Sequence, residues 1–274
     1  MLLGDKDLYR SLKIKADWVR KETLKIHAYA QDTRIASSLS AVELFTVLYY
    51  GKLLKFKSSQ PLWDKRDRFI ISKGHGAISL YPILADLRFF PKDELKKVCC
   101  AGSFLGGIPD PVIPGFETVN GSLGHGLGVG CGMALGLKNK ERKERVFVLV
   151  GDGELYEGSV WEAVMLAGEY RLNNLVCIVD NNKVCMLDYC KKIIDLEPLE
   201  EKFKAFGWAV KRVNGHDTAK LHKTFSSGIV NKRPTVIIAD TVKGKGVKRL
   251  ETDSLSHIKN VSPQEVEALL KEKP

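Results

Sequence analysis

A chain of 274 residues with 44% hydrophobic and 8% aromatic content has the length and composition of a soluble globular protein with a sizeable core. Its apolar stretches are only strand-sized, which excludes a transmembrane helix, and the opening Met1–Asp7 lacks the apolar core of a secretion signal, so a cytoplasmic location is expected. The net charge of +10 comes from 43 basic and 33 acidic residues mixed along the chain, with no basic stripe interleaved with aromatics, so a solvated lysine-rich surface is expected and neither nucleic acid nor membrane is expected as a partner.

Apolar positions at helical spacing (Leu8, Leu12, Val19, Ile26) predict a long amphipathic helix from residue 5 to about 30. Ser40 to Tyr50 reads as a second helix, capped by Ser40 and stopped by Gly51. Arg68–Ile71 is a short strand running into Ser72-Lys73-Gly74-His75-Gly76. Helices are expected over 80–90 and 92–100, then an irregular Gly/Pro loop from 102 to 121. The segment Gly121–Gly128 opens a glycine-rich helix through Leu137, whose small residues suit close packing on a sheet or a partner.

Two apolar runs follow, Arg145–Val150 and Leu175–Val179, with the character of buried parallel strands. Two more strands (208–213 and 236–239) flank a helix near 218–229, and Ser262 caps a tail helix from Pro263 to Lys271. No repeat or linker divides the chain. The expected fold class is α/β, a parallel sheet flanked by helices on both faces, in a single domain spanning 1–274. Six cysteines without a Cys-x-x-Cys pair read as reduced thiols.

The first of these buried strands ends in Gly151-Asp152-Gly153 and the second in Asp180-Asn181-Asn182. Neighbouring parallel strands would bring one carboxylate and one amide oxygen to the carboxyl edge of the sheet, where such folds bind ligands. Hard oxygen donors of this kind suit Mg²⁺ or Ca²⁺ carrying a diphosphate. Glycine-rich segments at 72–76, 121–128, 151–158 and 243–246 would let backbone amides approach phosphate oxygens.

Taken together, Ser72–Gly76, Pro114-Gly115-Phe116-Glu117 with Gly121–Gly126, Gly151–Glu154 with Glu157-Gly158 and Trp161-Glu162-Ala163, Asp180–Asn182, Gly215-His216-Asp217 and Thr241–Gly246 resemble transketolase over nearly the whole chain. The chain is similar to the N-terminal subunit of a split transketolase, which has a thiamine diphosphate-binding fold. The resemblance implies Mg²⁺ held by Asp152, Asn182 and the carbonyl of Val184. It implies that His75, Gly153 and His257 contact the cofactor diphosphate, with Gly151 and Glu154 beside them. Gly121 and Leu123 would lie near the thiazolium and aminopyrimidine, and Glu157 would join a carboxylate network between active sites. Catalytic roles would fall to His75, His257, Glu157 and Arg34. A partner subunit with the pyrimidine-binding domain would complete the site in an α₂β₂ assembly, and the reaction would transfer a two-carbon ketol unit from a ketose-type donor to an aldehyde acceptor.

Two positions depart from the pattern. Arg34 stands where a substrate-binding histidine is expected, and Ile108 replaces a second histidine. Arginine does not act as a neutral proton acceptor and isoleucine has no polar atom, so an altered substrate follows, with Arg34 suited to a carboxylate or phosphate. The alternative is a thiamine diphosphate-dependent acyloin or 2-oxo acid enzyme subunit; Lys73–Gly76 and Lys243–Gly246 favour transketolase. His216 is expected to be structural, His125 to cap a helix or touch cofactor, and Glu162 to face solvent or an interface.

Overall fold

Strict alternation along the central strands sets the layers. The computed structural model describes residues 5–227, 229 and 232–271. Five parallel strands, β1 (Arg68–Ile71), β2 (Val146–Gly151), β3 (Leu175–Asn181), β4 (Ala209–Asn214) and β5 (Thr235–Asp240), form one sheet in the order β1-β2-β3-β5-β4. Val146, Val148 and Val150 of β2 point to one core, while Phe147 and Leu149 point to the other. A strand buried on both faces needs apolar residues at every position, which is why β2 and β3 read as continuous Val/Ile/Leu runs.

The first core lies under α1 (Asp5–Tyr29), α3 (Val42–Tyr50), α4 (Tyr81–Asp86) and α9 (Thr218–Ser227). The second lies under α5 (Gly126–Asn139), α6 (Gly158–Glu169) and α8 (Leu199–Ala205), with the fully buried Trp208 donating from Nε1 to the Val164 carbonyl at 2.9 Å. A smaller cluster joins α1, α2 (Ile35–Leu39), α10 (Lys248–Glu251) and α11 (Pro263–Lys271). Ser262 caps α11 as expected, accepting from the Glu265 amide at 3.2 Å. A short helix, α7 (Cys190–Ile193), follows the β3 loop. None of the helices among the described residues is long and apolar enough to cross a membrane.

The parallel sheet with helices on both faces agrees with the expected fold class, but several boundaries differ. The helix expected from Ser40 is split: α2 ends at Leu39, and the Ser40 hydroxyl donates to the Ser37 carbonyl and to Asp180 instead of capping α3. The segment expected as helix 92–100 is a 3₁₀ turn over Lys92–Lys97 with no buried residue, because only Leu95 among its charged side chains packs on the core and one apolar residue is not a helical stripe. The helix expected over 80–90 stops at Asp86, where Arg88 takes a left-handed conformation (φ 66°) and turns the chain. The glycine-rich helix starts at Gly126, since Gly124 is itself left-handed (φ 85°). Residues 1–4 of the opening segment and Gly228 of the expected 218–229 helix lie outside the described residues.

Candidate active site

Four strands deliver their following loops to one edge. β1 leads into Ser72–Gly76, β2 into Asp152 and Gly153, β3 into Asn182–Val184 and β5 into Thr241–Gly246. The register pairs Gly151 with Asp180 and Asn181 with Asp240, so these loops leave the sheet at the same level. Between them lies a cavity of about 390 Å³. Lys73, His75, Asp152, Asn182, Lys243 and His257 form its polar side. Leu123, Met186, Leu187 and Ile193 form its apolar side.

Three oxygens predicted as metal ligands belong to residues lining this cavity: the carboxylate of Asp152, the amide oxygen of Asn182 and the carbonyl of Val184. Lys183, between the last two, is left-handed (φ 69°), and its amide donates to Asp152 Oδ2 while the Gly153 amide donates to Oδ1 at 2.8 Å. Asn182 Oδ1 accepts from the Val184 amide at 3.2 Å. The Lys243 ammonium donates to the Val184 carbonyl at 2.7 Å, so this oxygen already faces a positive charge. One carboxylate and two neutral oxygens around one cavity are a donor set that fits a hard divalent cation. Among the described residues there is no cluster of three or more His, Cys, Asp or Glu side chains placed to hold a metal.

Burial governs the electrostatics. Desolvation, with the negative charge of Asp180, raises Asp152 to about 6. Desolvation, with the charge of Lys73, lowers Lys243 to about 8. His257 is lowered to about 3 by burial and by Lys243, His75 and Arg34; His75 is lowered by burial, then Arg34 and Lys73. Both histidines are therefore neutral at pH 7. Their rings meet edge to face at 5.4 Å, and Ser37 Oγ lies 3.2 Å from His257 Nδ1.

Behind the cavity, a buried ion pair ties four segments together: the loop after β1, β3, the end of α2 and the loop after β5. The Lys73 ammonium contacts Asp180 Oδ2 and donates to the Ser37 carbonyl at 3.0 Å, and the Ser40 and Thr241 hydroxyls also donate to Asp180. Burial would raise Asp180, but the Lys73 charge and these hydrogen bonds hold it low. Glu154 is 2% exposed and accepts from the Ser72 hydroxyl and from the amides of Gly124 (3.0 Å) and Gly151 (3.1 Å). Its carboxylate thus joins the loops after β1 and β2 to the segment preceding α5.

Residues 16–273 match the family model described as transketolase, thiamine diphosphate binding domain. The chain belongs to the transketolase family. It is 36% identical over 242 residues to a subunit of the apulose-4-phosphate transketolase of Phocaeicola vulgatus, covering 88% of this chain and 86% of the relative. It is 36% identical over 248 residues to the 6-deoxy-6-sulfo-D-fructose transketolase subunit SqwG of a Clostridium species, covering 90% of each. The crystal structure of Campylobacter jejuni transketolase superposes with a TM-score of 0.85 at 27% identity, over 94% of this chain but 42% of that one. The chain thus spans less than half of that transketolase and corresponds to its thiamine diphosphate-binding part.

Within this transketolase-family chain, His75, Leu123, Gly151, Asp152, Gly153, Glu154, Glu157, Asn182, Val184 and His257 all line the one cavity. Gly121 and Arg34 do not. Gly121 is exposed beside Ile108, whose Cδ1 would lie 3.0 Å from a Cβ at that glycine. Arg34 stands at the N-cap position of α2 without a capping hydrogen bond, and its charge acts on both His75 and His257. His216 is a clamp: Nε2 accepts from the Val242 amide at 2.8 Å, so Nδ1 carries the proton donated to Glu43 Oε2 at 2.9 Å. His125 is exposed and bonds only the Leu123 carbonyl, and Glu162 is an exposed charge on α6, as expected of a solvent-facing residue. Lys73, Asp180 and Lys243 stand inside sequence motifs that assign them no role, yet the fold makes them the charged frame of the cavity. The glycines flanking the two lysines were the available signal, since a lysine inside a strand-end glycine loop has little room to reach solvent.

Proposed function

We propose that this chain is the diphosphate-binding subunit of a two-chain transketolase-like enzyme that transfers a two-carbon ketol unit from a ketose-type donor to an aldehyde acceptor. The observation that carries the reading is the cavity at the carboxyl edge, where Asp152, Asn182 and the Val184 carbonyl face His75, His257 and Lys243 in a transketolase fold. In this reading the whole chain is one diphosphate-binding domain, and Asp152, Asn182 and Val184 hold Mg²⁺. The bound thiamine diphosphate supplies the carbanion equivalent that carries the two-carbon unit. Lys243, lowered to about 8 yet mostly protonated at pH 7, offers positive charge to the diphosphate. His75 and His257, both neutral, donate or accept hydrogen bonds without adding charge. Glu157, exposed at the cavity edge, is positioned to meet a carboxylate network across an interface.

A second chain is part of the proposal. Relatives of similar length are named as subunits, and the chain covers only 42% of the Campylobacter transketolase. The partner would supply the pyrimidine-binding domain and complete a cytoplasmic α₂β₂ enzyme. The relatives' names point to specialised sugars as the substrate class. Co-expression with a pyrimidine-domain subunit, followed by a ketol-transfer assay with Mg²⁺ and thiamine diphosphate, tests this. The complex should transfer the unit and the isolated chain should not; a purified complex that binds cofactor yet transfers from no ketose or hydroxypyruvate donor would refute it.

A further inference from the structure

Arg34 is the one half-buried arginine among the described residues without a side-chain partner. Arg20, Arg66, Arg68, Arg142 and Arg145 are each hydrogen-bonded to a carboxylate or a carbonyl. The Arg34 guanidinium makes no hydrogen bond or ion pair, and Asp32, two residues away, is exposed and unpaired with it. Its backbone is nonetheless held firmly. The Arg34 carbonyl accepts from the amides of Ser37 (3.1 Å) and Ser38 (3.4 Å). Ser37 Oγ in turn contacts His257 Nδ1, and Ser38 Oγ donates to the His75 carbonyl at 3.0 Å. The same short helix therefore ties the Arg34 backbone to both cavity histidines, and the Arg34 charge acts on both rings. Ile108, packed against Gly121, makes a nearby wall apolar.

We propose that Arg34 is the specificity-determining residue of this site, binding a carboxylate on the substrate at the rim of the cofactor cavity. The proposal rests on the ketol-transfer reading above and narrows its substrate class to one bearing a carboxylate. A half-buried guanidinium without a counter-ion is free to pair with an incoming anion. Its planar fork matches a carboxylate in two parallel hydrogen bonds. The neighbouring positive groups are engaged elsewhere, Lys73 by the Asp180 carboxylate and Lys243, in the reading above, by the cofactor diphosphate. With both histidines neutral, a single fixed positive charge balances a monoanion and leaves a phosphate dianion under-neutralised.

The test uses the complex with its partner subunit, loaded with Mg²⁺ and thiamine diphosphate. Ligand-detected NMR would follow binding of glycolate and of inorganic phosphate to wild type, Arg34→Met and Arg34→Lys. Glycolate should bind wild type more tightly than phosphate, at least tenfold more weakly to Arg34→Met, and with intermediate affinity to Arg34→Lys. In parallel, the ratio of kcat/KM for hydroxypyruvate over neutral erythrulose should fall at least tenfold in Arg34→Met. Unchanged glycolate binding or an unchanged ratio in Arg34→Met overturns the proposal. So does a wild-type preference for phosphate that Arg34→Met abolishes, which would make this a phosphate site. If neither donor is turned over while Arg34-dependent glycolate binding persists, the ketol-transfer reading falls and the carboxylate site stands. Because the side chain has no partner to lose, all three proteins should melt at similar temperatures.

Discussion

Replacing Gly130 with alanine should destabilise the chain, although alanine is the better helix former. Gly130 lies on the face of α5 that presses on the sheet. A Cβ there would fall inside the contact distance of Val148 Cγ2, with Leu175 Cδ1 and Val146 Cγ1 both at 3.7 Å. Val148 is fully buried, and a β-branched side chain is restricted about its first torsion, so it has no free space to move into. Relief requires α5 to lift from β2. Overpacking of this sort costs about 1–3 kcal/mol, and so severe an overlap belongs at the upper end. Helix propensity returns about 1 kcal/mol, leaving a net loss of about 2 kcal/mol. Gly132, two residues on, is exposed with no atom within 4 Å of where an alanine methyl would sit, so Gly132→Ala should stabilise by about 0.5–1 kcal/mol. Urea denaturation of the two variants with equal m-values would measure both signs. For a chain of this size the Gly130 loss corresponds to roughly 4–8 °C in melting temperature. A Gly130→Ala protein as stable as wild type would mean that α5 does not press on Val148 so closely.

Two further expectations concern the charged groups. Asp152 has its folded-state value raised from 3.8 to about 6, so the folded chain retains a proton that the unfolded chain has released. Its contribution to stability is therefore present below pH 4 and is lost as pH rises through 6, by up to about 3 kcal/mol. Without cofactor, Asp152→Asn should thus stabilise the chain at pH 7 by about 1–3 kcal/mol while weakening Mg²⁺ binding; denaturation curves at pH 4 and pH 7 check the first and Mg²⁺ titration the second. In the wild type, Mg²⁺ affinity should fall about tenfold per unit below pH 6, as protons compete for the same oxygen. Lys73→Met leaves Asp180, fully buried, without its counter-charge and should cost about 3–5 kcal/mol by chemical denaturation, with partial recovery when Asp180→Asn is added.

The parts of this molecule that were legible in its sequence are those with local signatures. β2 and β3 announce themselves because strands covered on both faces need uninterrupted apolar runs, and the Gly-Asp-Gly and Asn-Asn ends mark where they stop. The glycine-rich helix was legible as a close-packing element, and Gly130 against Val148 is that contact. What escaped depends on distant partners. Lys73 and Asp180 are 107 residues apart, and nothing local distinguishes a lysine that will be buried against a carboxylate from one left in solvent. Ser40 has the look of a helix cap, yet its hydroxyl is drawn to that same carboxylate and α3 begins without it. Glu154, which could pass for a solvent-facing charge, is tied to two backbone amides that only the folded loops bring together. Residues 92–97 have good helix formers but no apolar stripe, so propensity alone misleads there.

The central claim is that Asp152 and Asn182 hold Mg²⁺ for thiamine diphosphate in the cavity at the carboxyl edge of the sheet. Calorimetric titration of thiamine diphosphate into the complex of this chain with its partner subunit, with Mg²⁺ and with EDTA, tests it most directly when wild type, Asp152→Asn and Asn182→Ala are compared. Binding in wild type should be saturable, should require Mg²⁺, and should weaken about a hundredfold or more in Asp152→Asn. Equal affinity in wild type and both variants, or binding indifferent to EDTA, would contradict it.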